Sequence, residues 1–277
     1  MTIAVTGATG QLGRLALAHL KTRAHGTVAL ARDPAKAADL GVEVRAFDYA
    51  RPDAAALRGV TTLALISSSS FDDRAGDHAR AIAAAKTAGV GHIVYTGILK
   101  GPASPMKIAA DHIATEAALA ESGIPHTVLR NGWYTENYTG SLGGAVAHGA
   151  MVGSAGEGQI ASAARADFAE ALVAVLTTEG HAGKHYELAG DAAYTMAEMA
   201  AEVSRVTGKT IPYQSLPEEV YAGILAGFGL PPAFAALLAD ADAQAAKGAL
   251  YDDSRTLSRL IGRPTTPMAA TVAAALA

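Results

Sequence analysis

The chain has 277 residues, half of them hydrophobic and 17% charged, with a formal net charge of −4. That balance permits a sizeable buried core and excludes wholesale disorder, and its mild acidity argues against a general binder of nucleic acid or anionic membranes. No cysteine is present, which removes disulfides, thiolate nucleophiles, iron–sulfur ligation and thiolate zinc sites together.

The N-terminus runs from Met1 straight into a strand-like segment, Ile3–Thr6, with no basic leader or cleavage signal, and Gly, Pro and charges interrupt every apolar run before membrane-span length. A cytoplasmic protein that binds neither nucleic acid nor membrane is the expectation. In chain order, the pattern predicts a helix over Gln11–Thr22 and a strand over Thr27–Ala31. A short helix over Pro34–Leu40 is opened by Asp33-Pro34, and strands follow over Val42–Phe47 and Leu63–Ser67. Next come a helix over Arg74–Ala88, a strand over His92–Thr96, a helix over Lys107–Glu121 and a strand over His126–Arg130. Apolar strands alternating with helices predict an α/β fold, a Rossmann-type doubly wound parallel sheet covered on both faces.

After Arg130 the pattern loosens. Gly140–Gly158 is rich in small residues without a clean period and reads as loops bordering a site. Helix returns over Ala166–Leu176, strand over His185–Leu188 and helix over Met196–Thr207, ended by Gly208. Pro217 to Gly248 reads as helix punctuated by Gly227, Gly229, Pro231 and Pro232. The expected organisation is a dinucleotide-binding domain over 1–150, with 159–190 returning to it, and a smaller, mostly helical C-terminal lobe over 191–277 on the substrate side.

The sharpest motif is Gly7-Ala8-Thr9-Gly10-Gln11-Leu12-Gly13, directly after the first strand and opening the first helix. A dinucleotide-binding turn needs glycine where backbone approaches a pyrophosphate and where helix packs closely on strand, and the helix N-terminus then favours the diphosphate charge. An ordinary glycine turn is the plainer alternative; the strand–turn–helix context favours nucleotide binding. At the end of the second strand, Arg32 can face a 2′-phosphate with its planar fork and Lys36 can add a point charge, though a solvated helix lysine is the plainer role. Asp33 can be a ribose acceptor, but its place before Pro34 makes capping the more economical one. NADPH is therefore preferred, with NADH the weaker cofactor. Asp48-Tyr49 follows the third strand, where a side chain can meet the adenine. Ser67, Ser68, Ser69 and Ser70 follow the fourth, where hydroxyls and backbone amides would line the diphosphate and ribose.

Familiar catalytic sets are missing. None of the nine tyrosines has lysine four residues later, so the Tyr-x-x-x-Lys acid of ketone-reducing short-chain dehydrogenases is absent. No serine sits in G-x-S-x-G, and Val203 replaces the first glycine that a phosphate loop ending in Gly208-Lys209-Thr210 would need. His181 and His185 are four apart, but Gly183 between them marks a turn, so no metal site is expected. What fits is an acceptor that takes hydride without a strong protein acid: a quinone, an azo dye or a triarylmethane dye.

Gly7–Gly13, the strand His92–Thr96, the run Leu129-Arg130-Asn131-Gly132-Trp133-Tyr134-Thr135-Glu136-Asn137-Tyr138, and the tail segments Lys247–Ser254 and Leu260–Thr266 resemble the NmrA-like atypical short-chain dehydrogenases, and within them the bacterial type 2 NAD(P)H:quinone oxidoreductases. The resemblance spans essentially the whole chain. It implies an NADPH-dependent, flavin-independent reductase of quinones; a small flat acceptor is the expected partner, with monomer and homodimer both open. Carried onto this sequence, it implies that Gly7, Thr9, Gly10, Gln11, Leu12 and Gly13 hold the phosphates, Arg32 the 2′-phosphate, Ser67 to Ser69 the diphosphate and ribose, and Trp133 to Asn137 the nicotinamide and quinone pocket. Trp133 or Tyr134 would supply an aromatic wall and Asn137 a hydrogen bond to the developing quinol oxygen; a core position is the alternative for Trp133. Lys107 is expected to be a solvated residue of a first helical turn, and Arg165 and Asp167 to serve structural roles. A dye reductase on the same scaffold and a non-enzymatic NADP(H)-binding redox sensor are the competing functions.

Overall fold

The computed structural model describes residues 1–23, 26–70 and 72–277. Strand β1 (Ile3–Val5) is fully buried and turns at Gly7 into α1 (Gln11–Arg23), which buries Leu12, Ala16, Leu17 and Leu20 at helical spacing. Strand β2 (Thr27–Ala31) is buried throughout, and the helix after it, Pro34–Leu40, is of the 3-10 kind. Asp33 caps it by accepting the Ala35 amide, and Gly41 ends it at φ 64°. There follow β3 (Glu43–Ala46), β4 (Thr62–Leu65), α2 (Arg74–Thr87), β5 (His92–Ile98), α3 (Ala109–Ser122) and β6 (His126–Asn131).

Beyond β6 come α4 (Glu136–Thr139), α5 (Leu142–His148), β7 (Met151–Gly153), α6 (Arg165–Thr177), β8 (His185–Leu188) and α7 (Met196–Thr207). The chain finishes with β9 (Tyr213–Ser215), α8 (Glu218–Gly227), α9 (Pro232–Ala245), α10 (Thr256–Ile261) and α11 (Met268–Leu276). The stretch 140–158, expected as loops, thus contains a helix and a strand. Gly143 and Gly144 dilute the helical pattern of α5, and β7 exists by pairing Met151–Gly153 with Tyr213–Ser215, a partner remote in sequence.

The main sheet has the order β3-β2-β1-β4-β5-β6-β8, and every pair from β3 to β6 is parallel. This is the doubly wound arrangement, with strand order reversing between β1 and β4. One continuous core under it joins Ala4, Leu30, Leu63, Leu65, Ile93 and Tyr95 to Ala81, Ile82 and Ala85 of α2. Two compact units divide the chain: Met1–Gly101 with Asp111–Asn131 and Ala166–Tyr186, and Pro102–Ala110 with Gly132–Arg165 and Glu187–Ala277. Residues 132–150 and 159–165 therefore group with the second unit, because the chain leaves the sheet after Asn131. Among the described residues no helix is long and apolar enough to cross a membrane.

Candidate active site

In the first unit the glycine turn occupies the carboxyl end of β1, beside the reversal of strand order, where open α/β sheets take ligands. Each glycine has its own reason. Gly7 adopts φ 59°, the left-handed region. A Cβ on Gly13 would stand 2.3 Å from the Gly7 carbonyl oxygen and 3.0 Å from the Ala8 Cα, so α1 packs on the turn only without a side chain there. Thr9, Gly10 and Gln11 are exposed, whereas Leu12 turns its side chain into the core. The amides of Gln11, Leu12 and Gly13 have no carbonyl partner within the helix. The first turn of α1 also carries no acidic residue, leaving its positive end uncompensated. The exposed backbone of Thr9, Gly10 and Gln11, next to an uncapped helix start, fits a diphosphate.

Two further strand ends lie in the same unit. Arg32 is exposed just past β2, and Asp33 is committed to its cap. Asp48 is half-buried and accepts the Ala50 amide at 3.1 Å. Tyr49 instead turns inward: its hydroxyl donates to the Ile66 carbonyl, and its ring packs edge-on to Phe47 at 6.0 Å between centroids.

The serine segment is held differently from expectation. The Ile66 amide donates to Thr6 Oγ1, the Ser67 amide to Thr96 Oγ1 and the Ser68 amide to His78 Nε2, each at 2.9 Å. The amides of Ser67 and Ser68 are therefore engaged by β5 and α2, and what Ser67, Ser68 and Ser69 can offer a ligand is chiefly their hydroxyls. Thr6, Thr96 and His78 escaped sequence reasoning. A threonine ending each of two strand runs, those on either side of β4, was the available signal for the first two.

In the second unit, Trp133 is 8% exposed, Tyr134 half-buried and Asn137 exposed. The segment is pinned by backbone bonds between Trp133, Thr135 and Ala163 and by the buried hydroxyls of Thr135, Ser162 and Tyr194 in series. Both carboxylate oxygens of Glu136 accept the Arg165 amide, at 2.9 and 3.0 Å, and so cap the start of α6. The Arg165 guanidinium lies 4.6 Å from the centre of the Tyr134 ring, a cation–π contact, and donates to Asn137 Oδ1 at 3.4 Å. A guanidinium has no acceptor, so it must face the amide oxygen of Asn137, which leaves the Nδ2 hydrogens for another partner. Arg165 is thus part of this cluster as well as of the helix start.

Lys107 precedes α3 instead of sitting in its first turn. Its amide donates to Asp240 Oδ2 at 2.7 Å and its ammonium, on a side chain 60% exposed, pairs with Glu218 at 2.9 Å, so it is a solvent-exposed side chain with ionic partners. Asp167 is fully buried in the first turn of α6. His181 has both ring nitrogens occupied, by Thr178 and Tyr186.

A family model described as the NmrA-like family matches residues 1–252. The chain belongs to this family. A relative within reach of it, quinone oxidoreductase 2 of Escherichia coli, is 50% identical over 277 residues, covering 98% of this chain and 97% of that one. The crystal structure of an NADPH-dependent quinone oxidoreductase from Escherichia coli complexed with NADPH is similar with a TM-score of 0.95 at 49% identity, covering 100% of both chains. The crystal structure of the Citrobacter sp. triphenylmethane reductase complexed with NADP(H) gives a TM-score of 0.94 at 38% identity, covering 99% of this chain and 100% of that one.

Proposed function

We propose that this NmrA-like protein is an NADPH-dependent reductase that transfers hydride to a quinone. One observation carries the reading: end-to-end likeness, at half of all positions, to a quinone oxidoreductase, in a chain whose glycine cradle suits a dinucleotide. The amides around Thr9, Gly10, Gln11, Leu12 and Gly13 bind the diphosphate, with Gly7 shaping the turn. Arg32 pairs with the 2′-phosphate, Asp48 serves the adenosine end, and the hydroxyls of Ser67, Ser68 and Ser69 border the ribose. When bound, NADPH supplies a hydride from its reduced nicotinamide, and the quinone completes its reduction with a proton from water.

The protein's part is orientation and electrostatics. Trp133 or Tyr134 offers the flat wall, and Arg165, 4.6 Å from the centre of the Tyr134 ring, adds positive charge where the acceptor's oxygen becomes negative. Asn137, its oxygen turned to Arg165, donates its amide hydrogens to that oxygen. The cytoplasm, where NADPH is supplied, is the proposed compartment, and a monomer or homodimer the proposed working form. Steady-state turnover with NADPH and a simple benzoquinone tests the reading: turnover is expected, and tight NADPH binding with none would overturn it. The likeness to a triphenylmethane reductase supports dyes as secondary acceptors, and kcat/KM across a panel of quinones, azo dyes and triarylmethane dyes ranks them.

A further inference from the structure

Arg14, the fourth residue of α1, has a side chain 39% exposed, as a solvated helix arginine would. Its guanidinium is nevertheless engaged at all three nitrogens. Nε donates to the Thr9 carbonyl at 3.2 Å, Nη2 to the Lys36 carbonyl at 2.8 Å and Nη1 to Asp39 Oδ2 at 2.6 Å. Thr9 belongs to the glycine turn, and Lys36 and Asp39 to the 3-10 helix that begins immediately after Arg32-Asp33. Two backbone segments far apart in sequence are therefore joined through one planar group.

We infer that Arg14 is a positioning residue that locks the glycine turn to the Pro34–Leu40 segment, and that this lock sets how strongly the protein prefers a phosphorylated dinucleotide. The inference rests on the NADPH reading for its functional half only. A seven-residue 3-10 helix has poorer hydrogen-bond geometry than an α-helix and depends on outside contacts for its place. Arg14 supplies two of those contacts, and its third reaches the turn whose amides meet the diphosphate. The spacing between the diphosphate amides and the backbone that follows Arg32 is thereby held before any ligand arrives. Lysine cannot replace it, since one ammonium lacks the rigid fork needed to meet three acceptors in different directions. Nor is Arg14 itself the phosphate ligand: its charge is answered by Asp39 at 2.6 Å, and that carboxyl is held below its usual range chiefly by the hydrogen bond from Arg14. A carboxylate beside a phosphate site would repel the ligand unless it serves the frame.

The test uses the full-length protein with Arg14→Lys and Asp39→Asn. Calorimetry gives Kd for NADPH and NADH, and amide hydrogen exchange is followed in the free protein over residues 7–14 and 32–41. Both variants are expected to weaken NADPH about three- to tenfold, as suits charge-assisted bonds at a partly exposed site, and to lose part of the preference over NADH. Exchange should quicken in both segments together. Three results overturn the inference: Arg14→Lys behaving as wild type, Asp39→Asn tightening NADPH (which would make Arg14 a masked phosphate ligand), or exchange unchanged in either segment. If the wild type bound neither dinucleotide, the functional reading would fall by itself, while the exchange data would still decide the lock.

Discussion

His78 Nε2 accepts the backbone N–H of Ser68 at 2.9 Å, and the proton on its other nitrogen is settled by a third residue. Thr115 donates its one hydroxyl hydrogen to the Asp111 carbonyl at 2.7 Å, so toward His78 Nδ1, 2.8 Å away, it can only accept. His78 is therefore neutral with hydrogen on Nδ1, and protonation would set a second N–H against Ser68. Burial, then the Arg74 guanidinium, pulls its pKa down to about 4; burial, Arg74 and His78 take His112 down to about 3. The unfolded chain takes up those protons near the ordinary value of 6.5. Stability is therefore full above that value and is lost as pH falls from 6.5 toward 4 and then 3.

Urea unfolding at a series of pH values should show that acid loss, and His78→Phe should reduce it to the share of His112 while lowering stability at neutral pH by about 1–3 kcal/mol for each polar group left unpaired. An unaltered pH slope in the variant would remove His78 from the account.

The glycines of the turn should differ in their tolerance of alanine. Gly7→Ala meets ordinary contacts, 3.6 Å from Ile66, and suffers only the left-handed φ. Gly13→Ala drives a methyl to 2.3 Å from backbone and must push α1 off β1. The first should cost about 1–2 kcal/mol. The second should cost more, with NADPH affinity falling at least about tenfold, since a displaced helix start no longer aims its amides. Thermal melts and calorimetry on both variants check the order; equal effects would contradict it.

Arg32→Ala should raise KM for NADPH about ten- to hundredfold, the worth of a charged phosphate contact, while KM for NADH changes little. Parallel losses with both cofactors would assign Arg32 a role in folding and not in recognition.

At Asn137 the sign of the charge discriminates. On the proposed reading Asn137→Ala removes a donor to the acceptor oxygen and should lower kcat about tenfold, at the modest end for such donors because quinones reduce readily. Asn137→Asp should be worse, since a carboxylate pairs with Arg165 and repels negative charge developing on the acceptor. KM for NADPH should stay unchanged in both, and steady-state kinetics separates the two parameters.

Much of the sheet is legible in sequence because its strands are apolar runs bounded by turn residues. Thr27–Ala31 and His185–Leu188 fall where the pattern puts them. Met196–Thr207 is sharp for a local reason: Thr195 and Glu198 form a capping box, and Gly208 closes the helix at φ 68°. Non-local pairing is what hides the rest. The strand at Met151 needs Tyr213, and neither three-residue piece carries a period by itself. The serine run lies at the expected strand end, yet only the fold shows that Thr96 and His78 take two of its amides. Arg14 looks like any helix arginine until Lys36 and Asp39 are brought beside it.

In the proposed reaction the bend between β1 and α1 holds a dinucleotide. Isothermal titration of the purified wild-type protein with NADPH and, separately, NADH asks this without reference to any acceptor. The prediction is one site per chain, saturable by NADPH and bound more weakly by NADH. Heats indistinguishable from dilution for both would contradict it.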